Sequence, residues 1–180
     1  MSNDIVTKGA KILSETGKEV PKKLFGTPEL HKIIVRMSKA VRKTDHGVAI
    51  AANQIGLPYR IFVVRGFVLA GKERSDEDPD AAFINPKIVR ISKKKELLDE
   101  ACLSVPGYHG KVLRSPKATI RAYDETGKKI ERGGSGLLAQ VFQHECDHLD
   151  GVLYVEKAKE ISKDEPEKNT PAQKNEYRSK

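Results

Sequence analysis

The stretch Gln143-His144-Glu145-Cys146-Asp147-His148 contains a His-Glu-x-x-His motif, and the rest of the chain is interpreted around it. The residues before the motif have the composition of a helix, and helical residues four apart lie on one face. His144 and His148 can therefore bind one metal ion, while Glu145 can accept a proton from a water molecule that the metal activates. The motif alone is short enough to occur by chance, and a catalytic metal site needs a third protein ligand.

The predicted helix around the motif has recognisable ends. Ser135, which follows two flexible glycines, is the predicted N-cap, and Gly151 is the predicted C-terminal stop. Leu137 and Val141 share a stripe with both histidines, so the metal-binding face is predicted to be buried as well. Cys146 points in another direction and is interpreted as a core cysteine rather than as a ligand.

The composition indicates a single folded domain in a reducing compartment. The chain has 180 residues, enough to bury a hydrophobic core. Its two cysteines are too few for a disulfide framework. The first twenty residues are polar and lack the apolar run of a signal peptide or a membrane span. We therefore expect a cytoplasmic protein without a membrane partner.

The net charge of +8 raises the question of nucleic-acid binding. Residues 8–43 alone hold ten Lys and Arg against three Asp and Glu. Aromatic residues do not alternate with these cations, and the chain has no Trp. We therefore expect a basic surface without sequence-specific recognition of nucleic acid, which leaves open a weak attraction to an RNA-rich partner such as the ribosome.

The hydrophobic pattern predicts an α+β fold, with short and mainly antiparallel strands around a central metal-binding His-Glu-x-x-His helix. An N-terminal amphipathic helix is predicted over residues 28–43, with Thr27 as N-cap and Pro28 at the first helical position. The charged stretch 71–80 is predicted to be an exposed, mobile loop. Strands are predicted at residues 59–64, 82–91, 96–99, 118–123 and 128–131.

Two segments of different composition divide the chain. Residues 1–156 form the predicted catalytic domain. Residues 157–180 hold seven Lys and Arg against five Asp and Glu, with Ile161 and Tyr177 as the large apolar side chains. Such a segment cannot bury enough apolar surface to fold alone. We expect it to begin as a continued helix and then to become a disordered tail.

The missing metal ligand is best sought in the segment Glu100–Gly107. A thiolate from Cys102 and two neutral imidazoles suit zinc or ferrous iron, and they leave a fourth position for water. Taken alone, a single cysteine is more simply a small buried residue. Gln54 poses the same choice, because an amide in an apolar neighbourhood either satisfies nearby backbone groups or donates to an oxyanion. For Gln54 alone, the backbone role is the simpler interpretation.

Three segments together resemble the peptide deformylases. That family carries a Gly-x-Gly-Leu-Ala-Ala-x-Gln motif, a Glu-Gly-Cys-Leu-Ser motif and a Gln-His-Glu-x-Asp-His motif, in this order. The matching segments here are Gly47–Gln54, Glu100–Ser104 and Gln143–His148. The resemblance runs from about residue 5 to about residue 156. It implies hydrolysis of the N-terminal formyl group from nascent polypeptides that begin with formyl-methionine, with release of formate.

The resemblance also implies a role for each matched residue. The implied metal ligands are Cys102, His144 and His148. Glu145 is the implied general acid and base, and the Gln54 side chain with the Leu103 backbone N–H is the implied oxyanion site. The usual metal of the family is Fe(II), and zinc, nickel or cobalt can take its place. The implied pocket for the methionine side chain is formed by Val48, Leu137 and Val141, although core packing explains these residues equally well.

The chain departs from the family pattern at two glycines, which are replaced by Ala49 and Ala101. At both positions the backbone of the family runs against the substrate, and an added methyl group restricts φ and occupies space. The resemblance therefore implies an active enzyme with altered substrate preference, in which both alanines contact the substrate.

Two other functions remain open at this point. A metalloprotease that cleaves internal peptide bonds needs a downstream ligand, and no histidine follows His148, although Glu156 and Glu160 do. A non-catalytic basic protein that binds ribosomal RNA would use the metal only for structure. That alternative requires Cys146 to complete a closed site, and the direction of its side chain on the helix is unfavourable.

Overall fold

Two antiparallel sheets and four α-helices make up the part of the chain that the computed structural model describes, residues 5–164. The helices are α1 (Pro28–Arg42), α2 (Gly66–Ala70), α3 (Leu137–Leu149) and α4 (Tyr154–Lys157). The strands are β1 (Ala49–Ala51), β2 (Ile61–Val64), β3 (Ala81–Ile91), β4 (Glu96–Ala101), β5 (Tyr108–Arg114), β6 (Lys117–Tyr123), β7 (Lys129–Ser135) and β8 (Glu160–Lys163). One sheet has the order β1-β2-β3-β6-β7 and the other has the order β4-β5-β8. The predicted α+β class with antiparallel pairing is confirmed.

Helix α1 covers one face of the five-stranded sheet at the β1–β2 end. The Thr27 side chain caps it by accepting from the Leu30 backbone N–H at 3.3 Å, and Pro28 occupies the first turn. Its apolar stripe, with Leu30 and Met37 fully buried, packs against alternate residues of β1 and β2 such as Ile50. The sheet is therefore buried on this side where α1 lies over it.

Helix α3 covers the opposite face of the same sheet. Phe142 is fully buried and contacts Phe62 and Phe83, with ring centroids 6.3 and 5.6 Å away. Cys146 and Leu149 lie in the same apolar cluster. Burial of large aromatic side chains stabilises such a contact by several kcal/mol, roughly 3–5 for a Phe. This packing fixes the rotation of α3 and hence the direction in which its histidines point.

The start of α3 differs from the sequence prediction. Ser135 is the last residue of β7, and Gly136, with φ of +54°, is the N-cap. The two preceding glycines are paired with β6 and do not form a flexible link. A Cβ at Gly134 would lie 2.8 Å from the Leu138 side chain, so glycine allows α3 to pack directly on β7. The conformation of these glycines is set by close packing of α3 on β7 and not by a local preference for a turn.

The three-stranded sheet carries the third ligand candidate toward α3. Strand β4 pairs with β5, and Cys102 follows β4 immediately. Beneath this sheet lies a separate apolar cluster that includes Cys102, Val112 and Tyr154. Strand β5 was not predicted, because His109 and Gly110 interrupt its apolar pattern. The edge of this second sheet and the side of α3 form the walls of a cleft.

The charged stretch 71–80 is a mostly exposed loop, as predicted, and two ion-paired arginines hold it to the domain. The Asp80 side chain is 6% exposed and accepts two hydrogen bonds from Arg42, at 2.7 and 2.8 Å. Arg65, which is 1% exposed, contacts Asp76 and Asp80. Long-range pairing with two arginines therefore orders a segment whose composition is typical of a loop.

The predicted domain boundary at residue 156 falls before the last strand. Strand β8 pairs with β5 and extends the second sheet beyond α4, so ordered structure continues into the segment assigned to the tail. The strand is exposed, and backbone pairing rather than burial of side chains holds it. The predicted disorder of residues 165–180 lies outside the described residues.

We predict that Phe142→Ala lowers the free energy of unfolding by about 3–5 kcal/mol, because it leaves a cavity between α3 and the sheet. Urea unfolding monitored by circular dichroism measures the change. Leu113→Ala is the control, since Leu113 is 46% exposed and its loss is expected to cost about 0.5 kcal/mol or less. Equal destabilisation by both substitutions would contradict the assignment of Phe142 as the anchor of α3.

Candidate metal centre and active site

Three side chains with metal-binding atoms converge at the closed end of the cleft. The ligand atoms of Cys102, His144 and His148 all lie within 4.8 Å of one another. The Cys102 Sγ atom is 3.1 Å from His148 Nε2. The structure thus brings together the two histidines of one helix and a cysteine that is more than forty residues away in sequence.

This donor set fits a divalent transition metal. Sulfur and imidazole nitrogen are the donors that zinc and ferrous iron accept, and three of them leave a position open. Burial lowers the pKa of His148 well below its ordinary value, so this imidazole is neutral, as a ligand must be. Burial also opposes the charged form of His144, but hydrogen bonds with Cys102 and Glu100 outweigh it and raise the pKa of His144, so a cation would displace a proton there. The three residues would hold the metal, and no other group of three or more His, Cys, Asp or Glu within residues 5–164 has this arrangement.

A buried carboxylate orients the first histidine. His144 Nδ1 lies 3.0 Å from Glu100 Oε2, so the other ring nitrogen is directed toward Cys102 and His148. Glu100 also accepts two hydrogen bonds from Arg114, at 2.7 and 2.9 Å. Burial alone would raise the pKa of Glu100, but the hydrogen bonds from Arg114 and His144 outweigh burial and hold that pKa at about 2. Glu100 therefore remains ionised beneath the metal centre.

Glu145 lies beside the cluster in a state suited to proton transfer. Its side chain is 3% exposed, and its Oε2 atom has no hydrogen-bond partner within residues 5–164. Burial raises the pKa of Glu145 to about 7. A carboxyl group with a pKa near neutrality can both accept and donate a proton, which is the requirement for general acid–base chemistry.

The Gln54 side chain reaches the same point from the 3-10 helix Ala52–Ile55. Its Oε1 atom accepts from the Ala51 backbone N–H at 2.8 Å. Its Nε2 atom donates to Ser104 Oγ at 3.1 Å and to Cys102 Sγ at 3.5 Å. The backbone role of Gln54 is thus confirmed for its oxygen, while its Nε2 atom lies at the cluster and the oxyanion role stays a prediction. Leu103, which follows Cys102, is half-buried at the cleft wall.

The cleft in front of the cluster has a volume of about 460 Å³. Its apolar lining includes Val48, Leu137 and Val141. Val141 is 4% exposed, whereas Leu137 is 51% exposed, so the expectation of one continuously buried stripe is wrong at its N-terminal end. Leu137 lies at the mouth because α3 begins only there. Ala49 and Ala101 also line the cleft, at the ends of the edge strands of the two sheets.

Cys146 stays away from the metal centre, as predicted from its direction on the helix. It belongs to the apolar cluster between α3 and the sheet. Burial raises the pKa of its thiol to about 12. Among residues 5–164 the group of metal-binding side chains consists of Cys102, His144 and His148, so the structure does not assemble a closed site of two cysteines and two histidines there. Glu156 instead accepts from the Leu153 backbone N–H at 2.8 Å and does not join the cluster.

The family model described as polypeptide deformylase matches residues 2–164. The chain belongs to the polypeptide deformylase family. Members of this family remove N-formyl groups from nascent peptides and depend on a metal ion. Family membership supports an enzyme of this kind, and it separates the chain from the metalloproteases and from non-catalytic RNA-binding proteins that the sequence left open.

Relatives of the chain come from bacteria and plants. A peptide deformylase of Desulforudis audaxviator is 39% identical over 84% of this chain and 90% of its own length. Peptide deformylase 1A of Arabidopsis thaliana, named as chloroplastic/mitochondrial, is 39% identical over 86% of this chain, which spans 60% of that protein. A crystal structure of a Synechococcus elongatus peptide deformylase in complex with actinonin is 32% identical, with a TM-score of 0.76 over 87% of this chain and 79% of that one.

Several polar residues that position the site were not predicted from the sequence. Arg114 is buried and links Glu100 to Asp147, with 2.6 Å between its Nη1 atom and the Asp147 carboxylate. Asn53 donates to the His148 backbone oxygen at 2.6 Å. Glu100 and Ser104 were inside a recognised motif but had no assigned role. No local pattern marks Arg114, because its partners are distant in sequence.

The remaining three histidines lie at the surface or at the wall of the cleft. His31 and His109 form surface pairs with Glu125 and Asp164, at 2.8 and 2.7 Å, whereas His46 lines the cleft.

Among residues 5–164, the helices are all too short or too polar to span a bilayer.

We predict that Glu100→Gln weakens binding of a divalent metal by about 10–100-fold, because the amide leaves His144 poorly oriented and Arg114 without a counter-charge. Competition with a chromophoric chelator measures the affinity. Asp99→Asn is the matched control: Asp99 is adjacent, its side chain is 70% exposed, and it pairs with Lys111 on the surface. Unchanged affinity in Glu100→Gln would show that this carboxylate does not support the metal site.

Proposed function

We propose that this chain removes the formyl group from peptides that begin with formyl-methionine, and that it releases formate. The observation that carries the proposal is the convergence of Cys102, His144 and His148 with a buried Glu145 at the end of an apolar cleft. Membership of the polypeptide deformylase family supports the same reaction. The substrate is taken to be the start of a nascent polypeptide, with ribosome association as a further part of the proposal.

The metal centre has a defined task in this proposal. Cys102, His144 and His148 would hold a divalent cation, which supplies a Lewis acid that polarises the formyl carbonyl and lowers the pKa of a water molecule. We infer Fe(II) as the native metal, with zinc, nickel or cobalt as substitutes, because one thiolate and two imidazoles suit these ions. The His-Glu-x-x-His helix is thus proposed to be the metal-binding element.

Proton transfer is assigned to Glu145. It accepts a proton as the oxygen of water attacks the formyl carbon. It then donates that proton to the amine nitrogen as the carbon–nitrogen bond breaks. Formate and a free N-terminus result. Burial of Glu145 supports this role, because a carboxyl group with a pKa near 7 transfers protons in both directions at neutral pH.

Stabilisation of the negative charge on the formyl oxygen is assigned to two N–H donors. The Gln54 side chain and the Leu103 backbone N–H would donate to that oxygen as it becomes negative, an effect worth several kcal/mol in a site without water, about 3–4 per donor. The 3.5 Å contact of Gln54 with Cys102 is its weaker contact and is the one that we expect the oxyanion to replace. Ser104 keeps the amide oriented through the shorter bond.

Recognition of the first residue is assigned to the apolar wall of the cleft. Val48, Leu137 and Val141 would contact an unbranched thioether side chain, which fits an irregular apolar surface because it has three rotatable bonds. Ala49 and Ala101 would lie against the peptide backbone. A cytoplasmic location is part of the same proposal, as is a catalytic domain that ends after β8 rather than at residue 156.

We predict that protein loaded anaerobically with iron releases formate from formyl-Met-Ala-Ser, and that Glu145→Gln lowers kcat by about 10²–10⁴-fold. The substitution removes the group that moves the proton and leaves the three ligands in place. A formate dehydrogenase assay measures turnover, and metal analysis verifies occupancy. Asp150→Asn, an exposed change on the same segment, serves as control. No turnover by a metal-loaded wild type would refute the proposed function.

A separate prediction concerns the two alanines. Ala101→Gly is expected to lower KM several-fold for formyl-Met peptides with a bulky second residue and to leave kcat nearly unchanged, because it removes a methyl group from the exposed wall of the cleft. Steady-state kinetics with alanine or phenylalanine as second residue measure the difference. Equal effects on both peptides would indicate that Ala101 does not contact the substrate.

A further inference from the structure

Within residues 5–164, half of one face of the five-stranded sheet has no helix over it. Helix α1 packs on β1 and β2, while on the same face β3, β6 and β7 continue beyond the helix. The register shows which side chains point outward there, because directly paired residues share a face. Lys87 pairs with Arg121, Arg121 with Glu131, and Tyr123 with Lys129. We refer to these five residues as the open sheet face.

A groove of about 760 Å³ runs along the open sheet face and is bordered by residues 19–25 and by the turn before β7. It is distinct from the cleft at the metal centre, since the two have no lining residue in common. Of the described residues that line the groove, one is anionic, Glu19, and four are cationic. The cations are Lys22, Lys87, Arg121 and Lys129.

The anions near the groove leave much of its positive charge uncompensated. Glu19 lies 3.7 Å from Lys87. Glu131 is shared between Arg121, at 3.0 Å, and Arg90, at 2.6 Å, so it balances only one of the two arginines. Lys87 and Arg90 are each 72% exposed and Arg121 is 59% exposed. The open sheet face is therefore a positive surface within a chain of net charge +8.

Two aromatic rings lie in the same groove. Phe25 and Tyr123 are both partly exposed, and their ring centroids are 5.5 Å apart. Bases of a single strand stack on such rings while cations track the phosphates, and this combination is typical of surfaces that bind single-stranded nucleic acid without sequence preference. Both rings also pack against the apolar cluster under α1, so only part of each is available for stacking, a contact that an acidic protein would not need.

The outer face of α1 extends the positive surface. His31, at the start of α1, contacts Glu125 in the turn beside the groove. From there the helix presents Lys32, Arg36 and Lys39 along a second, shallower groove. A polyanion seated on the open sheet face can thus continue along the outer face of α1. Extended binding of this kind depends on many phosphates and requires no base-specific contact.

We propose that the groove on the open sheet face binds the phosphate backbone of single-stranded RNA, without recognition of its sequence. The site goes beyond the deformylase activity and does not depend on it. It would hold the enzyme on an RNA-rich surface while the cleft stays accessible.

The test measures binding of a fluorescein-labelled oligouridylate of about twelve nucleotides by fluorescence anisotropy. Sodium chloride is varied from about 50 to 200 mM, because log affinity falls linearly with log salt when phosphates are neutralised. The variant Lys87→Glu/Lys129→Glu is compared with Lys11→Glu/Lys72→Glu. Both double variants change the net charge equally at exposed lysines, and the second pair lies outside the groove.

The groove variant is expected to lose more than about tenfold in affinity and to reduce the salt slope by about two, since each lysine lost removes roughly one phosphate contact. The control variant is expected to keep affinity within about threefold. Formate release from a free formyl-Met peptide is expected to be equal in all proteins, which verifies folding and separates this test from that of the proposed function.

Three outcomes would overturn the proposal. Absence of binding by the wild type would do so directly. Equal loss in the two variants would show that net charge, and not the groove, attracts RNA. Competition by polyglutamate as strong as that by unlabelled oligouridylate would show that the surface takes an acidic peptide instead. Loss confined to the groove variant, with weak competition by polyglutamate, would support it.

Discussion

The site depends on the buried carboxylate of Glu100, which joins the two halves of the domain. It belongs to β4 in the three-stranded sheet, and it contacts His144 on α3, a helix of the other half. Arg114 from β5 holds the same carboxylate with two hydrogen bonds and reaches Asp147 on α3 with a third. Because Cys102 directly follows the sheet while His144 and His148 belong to the helix, this network sets the distance between the three candidate ligands.

Such a network is costly to build and costly to break. Arg114 is 3% exposed and Glu100 is 5% exposed, so both charges have lost most of their contact with water. Their mutual attraction offsets the desolvation only because the geometry is bidentate and the remaining atoms have partners. Removal of one partner would leave the other buried and unpaired, a loss of about 3–5 kcal/mol. The arrangement is therefore better understood as a means of fixing geometry than as a source of stability.

The parts of the fold that depend on residues close together in sequence could be predicted from sequence patterns. The spacing of Leu30 and Met37 with the cap at Thr27 led to helix α1 within one residue of its end, because propensity, capping and burial agree there. The motif at His144 likewise predicted a helix and two candidate metal ligands. Cys102 could be assigned only through the resemblance, since a lone cysteine has no local signature.

Contacts between distant segments account for what sequence patterns did not reach. The role of Arg114 depends on its contacts with Glu100 and Asp147, which are distant in sequence. The acidic segment before β3 has the composition of a free loop, but ion pairs with Arg42 and Arg65 hold it to the domain. In each case a partner many residues away sets the conformation, and the residues nearby in sequence do not identify that partner.

Helix α3 shows how the domain tolerates a site that is poor for stability. Glu145 is buried with one oxygen that lacks a partner among the described residues, and a polar group in that state disfavours folding by about 1–3 kcal/mol. Phe142 and Leu149, three positions before and four positions after Glu145 on the helix, are fully buried and supply the compensating apolar contacts. Their packing holds the helix in place, so the neighbouring stripe can carry groups suited to chemistry. A bound cation would add stability to the folded state alone, because the three ligands are assembled only there.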